Sequence, residues 1–151
     1  MHTRVSIREV ESCPLAAVRV TTELSTWPRQ FMRTLDKVYD AVKAGHVRKN
    51  GKNVMVYYPR QDGRVYIACG VEIGEPFEPV GKVVSCETPS GLAVTTTHIG
   101  PYQDLRRSHA ALVEWMHKNG HHSTGICWEV YGHWTDDVTQ LRTDLFHLVR
   151  S

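Results

Sequence analysis

Long apolar runs are missing from this sequence. None approaches the ~20 residues that a membrane span requires, which excludes a helical membrane protein. The first residues show no apolar signal segment, so the expected location is cytoplasmic. A surplus of one charge is missing too. Lys and Arg number 18 against 16 Asp and Glu, a formal charge of +2. That balance gives no argument for direct DNA binding. The local basic run His46-Val47-Arg48-Lys49-Asn50-Gly51-Lys52 reads as a solvated turn. Cysteine is sparse. Cys13, Cys69, Cys86 and Cys127 form no CxxC pair, and the last three lie in strand-like runs where thiols serve as small buried hydrophobes. Reduced, structural cysteine is expected, without zinc held through these four.

Motifs for phosphate, calcium and nucleophilic catalysis are also lacking. Gly70-Val71-Glu72-Ile73-Gly74 has too few glycines to cradle phosphate. Asp136-Asp137 reads as a turn, since a calcium loop needs more oxygen ligands at alternating positions. Ser108 and His109 are helical neighbours that point in different directions. His117 and His121 have the i, i+4 spacing of a shared metal, but Gly120 interrupts them and no Glu-flanked zinc motif completes them. Histidines at a helix end suit its dipole. No metal or organic cofactor is implied.

What is present alternates in two periods. Val5–Val10 and Leu15–Val20 read as strands. Ser25 or Thr26 can cap a helix with Pro28 in its first turn. Phe31, Leu35, Val38, Tyr39 and Val42 then recur at helical steps, and Gly45 is a stop. Asn53–Tyr58 and Arg64–Ile73 are strands around the Gln61-Asp62-Gly63 turn. Gly74–Gly81 is linker-like. Lys82–Cys86 and Leu92–Ile99 are strands. Leu105, His109, Leu112, Val113 and Met116 share a helical face, and Gly120 ends it. Ile126–Tyr131 and Gln140–Val149 complete the chain as strands.

The second half repeats the order of the first. Pro14 and Pro89 are 75 residues apart, as are Gly45 and Gly120, while Tyr58 and Tyr131 match at 73. The expected fold is one α+β domain over residues 1–151. It is built from duplicated βαββ units, approximately 1–75 and 80–151, with antiparallel sheets, helices on one face and a ligand cleft between the copies.

Glu129 stands out within Gly125-Ile126-Cys127-Trp128-Glu129-Val130-Tyr131-Gly132-His133-Trp134. Alternation puts Ile126, Trp128 and Val130 on one face and Cys127, Glu129 and Tyr131 on the other. The first face is uniformly apolar and is expected under the helix. The second is then expected to point away from the helices into the cleft, with Val56 opposite Glu129 and Tyr58 opposite Tyr131. A carboxylate among aromatic walls suffers desolvation unless charge or hydrogen bonds compensate. Such walls favour cations by ~0.5–2 kcal/mol each. One acid among aromatics suits a bulky organic cation, or a general acid or base. An exposed, idle Glu129 is the competing reading. His98, at a strand end, reads as a satisfied structural residue at the cleft rim.

His98-Ile99-Gly100-Pro101-Tyr102 and Trp128-Glu129-Val130-Tyr131, in this order and separated by one helix, resemble the GyrI-like small-molecule-binding family over essentially the whole chain. That family includes effector-binding domains of multidrug-responsive transcription activators. The resemblance implies a duplicated βαββ fold with a central cleft, in which Glu129 contacts small lipophilic cationic or aromatic ligands. It carries Tyr102 and Tyr131 into the pocket. Tyr58, Val56, Trp134 and His98 join them from the face argument and from proximity. No helix–turn–helix pair precedes Val5, so a free-standing version is expected. Two other branches of the family supply alternatives. One is a hydrolase of reactive cyclopropane-type genotoxins, with Glu129 activating water and a tyrosine such as Tyr102 as acid. The other acts through its surface on a protein partner, DNA gyrase or a regulator.

Overall fold

The computed structural model describes residues 4–150. Two compact units divide the chain, one of Ser12–Thr88 and one of Met1–Glu11 with Pro89–Ser151. The fold is α+β, with eight strands in antiparallel pairings and two α-helices among the described residues.

In the Ser12–Thr88 unit the strands are β2 (Pro14–Thr22), β3 (Lys49–Pro59), β4 (Val65–Ile73) and β5 (Val83–Glu87), in the spatial order β3-β4-β2-β5. Helix α1 (Phe31–Lys43) packs on β2 and β4, burying Leu35, Val38 and Ala41. Pro28 does not enter α1. It sits in a separate 3-10 turn, Trp27–Arg29. The expected hydroxyl cap is absent as well, because Thr26 Oγ1 donates to the Glu23 carbonyl. Gly45 ends the helix at φ +84, a left-handed conformation that costs glycine little. Gly70 is fixed by close approach: a Cβ there would collide with the Ala16 carbonyl oxygen on the neighbouring strand. The basic run is only partly a turn. Lys49 begins β3, and a register shift between Lys49 and Asn53 accommodates the stretch.

The other unit contains β1 (Ser6–Val10), β6 (Gly91–Ile99), β7 (Ser123–Tyr131) and β8 (Arg142–Val149), in the order β1-β6-β8-β7. β1 therefore pairs with β6 rather than with its sequence neighbour β2. Helix α2 (Leu105–Lys118) lies against β6. Leu105, Leu112 and Met116 pack with Val94, Leu145 and Val149 in one core. Complete burial stabilises each large side chain by ~1.5–3 kcal/mol. Val113, expected on the buried face, is 50% exposed. Gly120 ends α2 at φ +73, with His121 N–H donating to the Met116 carbonyl.

The β7 faces are the reverse of the sequence expectation. Cys127, Glu129 and Tyr131 pair across the ladder with His147, Leu145 and Thr143, and directly opposed residues share a face. Leu145 belongs to the α2 core, so the face carrying Glu129 is the helix face. Trp128 lies on the other side, stacked on Phe146 with centroids 5.0 Å apart and planes 6° apart. The Arg8 guanidinium covers Phe146 at 5.7 Å. The reason is physical: both faces of β7 are covered, so a uniformly apolar face does not identify the helix side.

Candidate functional site

The site begins with a buried acid. Glu129 is only 5% exposed, and an unpaired buried charge costs several kcal/mol. Its two oxygens are engaged from different elements. Tyr131 O–H, two residues along β7, donates to Oε1 at 2.6 Å. His109 Nε2, from α2, meets Oε2 at 2.8 Å. A carboxylate oxygen only accepts, so Nε2 of His109 carries a proton. Bonds to a charged group contribute ~1.5–3 kcal/mol each, enough together to offset the burial.

The network continues past His109. Its Nδ1 and His147 Nε2 stand 2.8 Å apart and share one proton between them. Burial, then His109, holds His147 down to about 4, against a smaller upward pull from Glu129. Cys127 is the cross-strand partner of His147, and burial, then Glu129, pushes its thiol up to about 12. One ligand atom each from His109, Cys127 and His147 lie within 4.8 Å of one another.

An aromatic group adjoins the acid. The Tyr102 ring is 5.4 Å from that of Tyr131 and 6.4 Å from Trp134. Trp134 is 66% exposed, so the group runs from a buried carboxylate to solvent. Burial raises the Tyr102 hydroxyl above its usual value. The segment before Tyr102 is held by His98, which is buried. The Pro101 carbonyl accepts from His98 Nε2 at 3.1 Å, and Nδ1 meets Ser108 Oγ at 2.7 Å. The ring thus ties the strand end to α2 through Nδ1 and to the Pro101 segment through Nε2. Gly100, at φ +137, makes the bend.

Of the residues singled out from sequence, Glu129, Tyr131, Tyr102 and Trp134 come together in one unit, with His98 bracing the Tyr102 segment. Val56 and Tyr58 stand on β3 of the Ser12–Thr88 unit. Val56 is fully buried there, and the Tyr58 ring is 5.8 Å from Tyr66. Burial, then Cys86 and Tyr66, raises the Tyr58 hydroxyl. His121, weighed above as a metal ligand, instead stacks on Trp115 at 5.5 Å. A groove of about 370 Å³ on the opposite face of the β1-containing unit, with Arg4, Arg8, Thr95 and Phe146 in its walls, includes none of the predicted site residues.

The sequence reading missed His147 and the roles of His109 and Cys127. One signal was available. His109 falls on the apolar stripe of α2, and a polar side chain on a buried stripe demands a polar partner.

Residues 3–150 match the family of the GyrI-like small molecule binding domain. The chain belongs to this family. Among solved structures it is similar to the EcmrR C-terminal domain, at 18% identity and TM-score 0.79, covering 100% of this chain and 99% of that one. It is also similar to SAV2435 bound to tetraphenylphosphonium, at 12% identity and TM-score 0.72, over 98% and 94%. A hydrolase from Listeria innocua matches at 12% identity and TM-score 0.59, over 97% and 92%. No curated protein sequence matches the chain. At these identities the structural likenesses carry the fold; the family carries small-molecule binding. Among the described residues no helix is long and apolar enough to cross a membrane.

Proposed function

We propose that this chain binds small hydrophobic cations, with Glu129 supplying charge and Tyr102, Tyr131 and Trp134 supplying aromatic surface. The observation that carries the reading is the position of Glu129. It is a buried carboxylate at the inner end of an aromatic group whose outer member meets solvent. Ring faces attract cations by ~0.5–2 kcal/mol each, and a buried carboxylate adds an attraction that water does not fully screen. His98 fixes the segment that presents Tyr102. The four free thiols support a reducing, cytoplasmic setting.

Titration with tetraphenylphosphonium, which SAV2435 binds, tests this. Glu129→Gln should weaken binding by ~1–3 kcal/mol and leave a neutral tetraphenyl analogue unaffected. Equal affinity of both compounds for both proteins would sink the charge argument.

The two bonds on Glu129 also favour a second reading. A carboxylate held from both sides by Tyr131 and His109 is oriented to activate water, with a tyrosine protonating the leaving atom of a strained electrophile. Turnover of a cyclopropane-bearing electrophile that vanishes in Glu129→Gln would establish it. Turnover that persists in that variant would remove it.

A further inference from the structure

We infer that His109, Cys127 and His147 form a binding site for a borderline-soft divalent metal ion of the zinc class. The three donors converge from three elements. Cys127 on β7 and His147 on β8 are directly opposed across the ladder, and His109 comes down from α2. One donor atom from each lies within 4.8 Å of the others. In a tetrahedral site with bonds of ~2.0–2.3 Å, donors stand about 3.3–3.8 Å apart. Cys127 Sγ must draw in by at most about 1.3 Å to reach the N···S separation of ~3.5 Å that such bonds set. His109 Nδ1 and His147 Nε2, now 2.8 Å apart around a shared proton, must separate by about half an ångström.

The chemistry of the set is selective. Two imidazoles and a thiol suit zinc, cobalt or copper, while magnesium and calcium want oxygen donors. The support around the set points the same way. A metal-bound imidazole characteristically donates its other N–H to a carboxylate, which fixes the ring and raises its basicity. Here His109 Nε2 donates to Glu129 Oε2 at 2.8 Å, leaving Nδ1 directed at His147. Tyr131 in turn donates to the far oxygen of Glu129. Ligand, orienting carboxylate and a donor onto that carboxylate are therefore arranged in series.

Binding has a stated proton balance. The Cys127 thiol loses its proton to solvent on forming the metal–sulfur bond, and His147, whose Nε2–H faces His109 Nδ1, changes tautomer, its proton passing to Nδ1 so that Nε2 is free to bind the metal. Three protein ligands leave a further position for water or a donor atom of a guest. The site is separate from the aromatic group in its ligands and joined to it through Glu129. It does not depend on the proposed cation binding.

The test is titration of the purified full chain with Co²⁺, followed by displacement with Zn²⁺. We expect one Co²⁺ per chain, a near-ultraviolet sulfur-to-cobalt charge-transfer band and strong visible bands of a tetrahedral ion. Cys127→Ser should abolish the charge-transfer band, and His147→Gln should abolish stoichiometric binding. Glu129→Gln should weaken binding ~10–100-fold. The double variant His117→Gln/His121→Gln should bind like the parent. Zinc K-edge absorption of the unaltered, zinc-loaded chain avoids any folding defect in a variant. It should show one sulfur neighbour at ~2.3 Å and nitrogen neighbours at ~2.0 Å. Absence of the charge-transfer band in the parent, its persistence in Cys127→Ser, its loss in the His117/His121 variant, or a zinc shell without sulfur would each overturn the site.

Discussion

His109 on α2 and Glu129 on β7 meet at 2.8 Å, a polar bond within the layer that otherwise buries Leu112, Met116 and Leu145. The bond makes the acid tolerable inside the protein and ties the helix to the strand. Its loss should therefore be felt in stability. Replacing His109 by Leu leaves Oε2 of a buried carboxylate without this donor and should cost ~1–3 kcal/mol in urea unfolding. His109→Leu with Glu129→Leu should recover part of that loss, giving a coupling of ~0.5–3 kcal/mol. Strict additivity of the two changes would mean that the bond contributes nothing.

The helix face makes a sharper contrast. Leu112 is fully buried, whereas Val113, the next residue, is half exposed. Leu112→Ala should destabilise by ~2–5 kcal/mol. Val113→Ala should stay within ~0.5 kcal/mol. Similar losses at the two positions would mean that α2 is rotated from the placement described.

Gly70 tolerates no side chain. Because the added methyl would strike the backbone oxygen of Ala16, no rotamer change relieves it. Gly70→Ala should cost at least ~1–3 kcal/mol, the usual range for an overpacked position. An alanine variant as stable as the parent would show that β2 and β4 are less closely apposed.

Thiol chemistry follows burial. Cys69 on β4 is fully buried and its thiol is pushed up to about 12. A raised thiol holds its proton, and only the thiolate attacks. Between pH 7 and 9 iodoacetamide should modify Cys69 no faster than the chain unfolds, with acceleration in urea. Rapid native labelling, read by mass spectrometry, would contradict the burial.

Two of the four tryptophans contrast in their exposure. Trp128 is buried against Phe146, and Trp134 is open to solvent beside Tyr102. Acrylamide should quench Trp134 and spare Trp128. Fluorescence changes caused by a lipophilic cation should disappear in Trp134→Phe. A response that survives this substitution would place the guest elsewhere.

Much of the fold was legible because it is written locally. Helical steps from Phe31 and from Leu105 marked α1 and α2, and Gly45 and Gly120 end them with positive φ. That Glu129 and Tyr131 share a strand face was also legible, since they are two residues apart on β7. What failed was long range. The partner of β1 is β6, which no local pattern encodes. The sidedness of β7 failed because Trp128 has its own cover in Phe146 and Arg8. The histidine pair was hidden for a similar reason: His109 and His147 are 38 residues apart and meet only after helix and strand have packed.

The pairing of β1 also sets an order for biosynthesis. Val10 and Gly91 are register partners 81 residues apart, whereas Ser12–Thr88 is one continuous segment. At ~5–20 residues per second, a ribosome needs about 4–16 s to span that interval. The continuous segment can close during this delay, while β1 waits with its edge open for β6 to emerge.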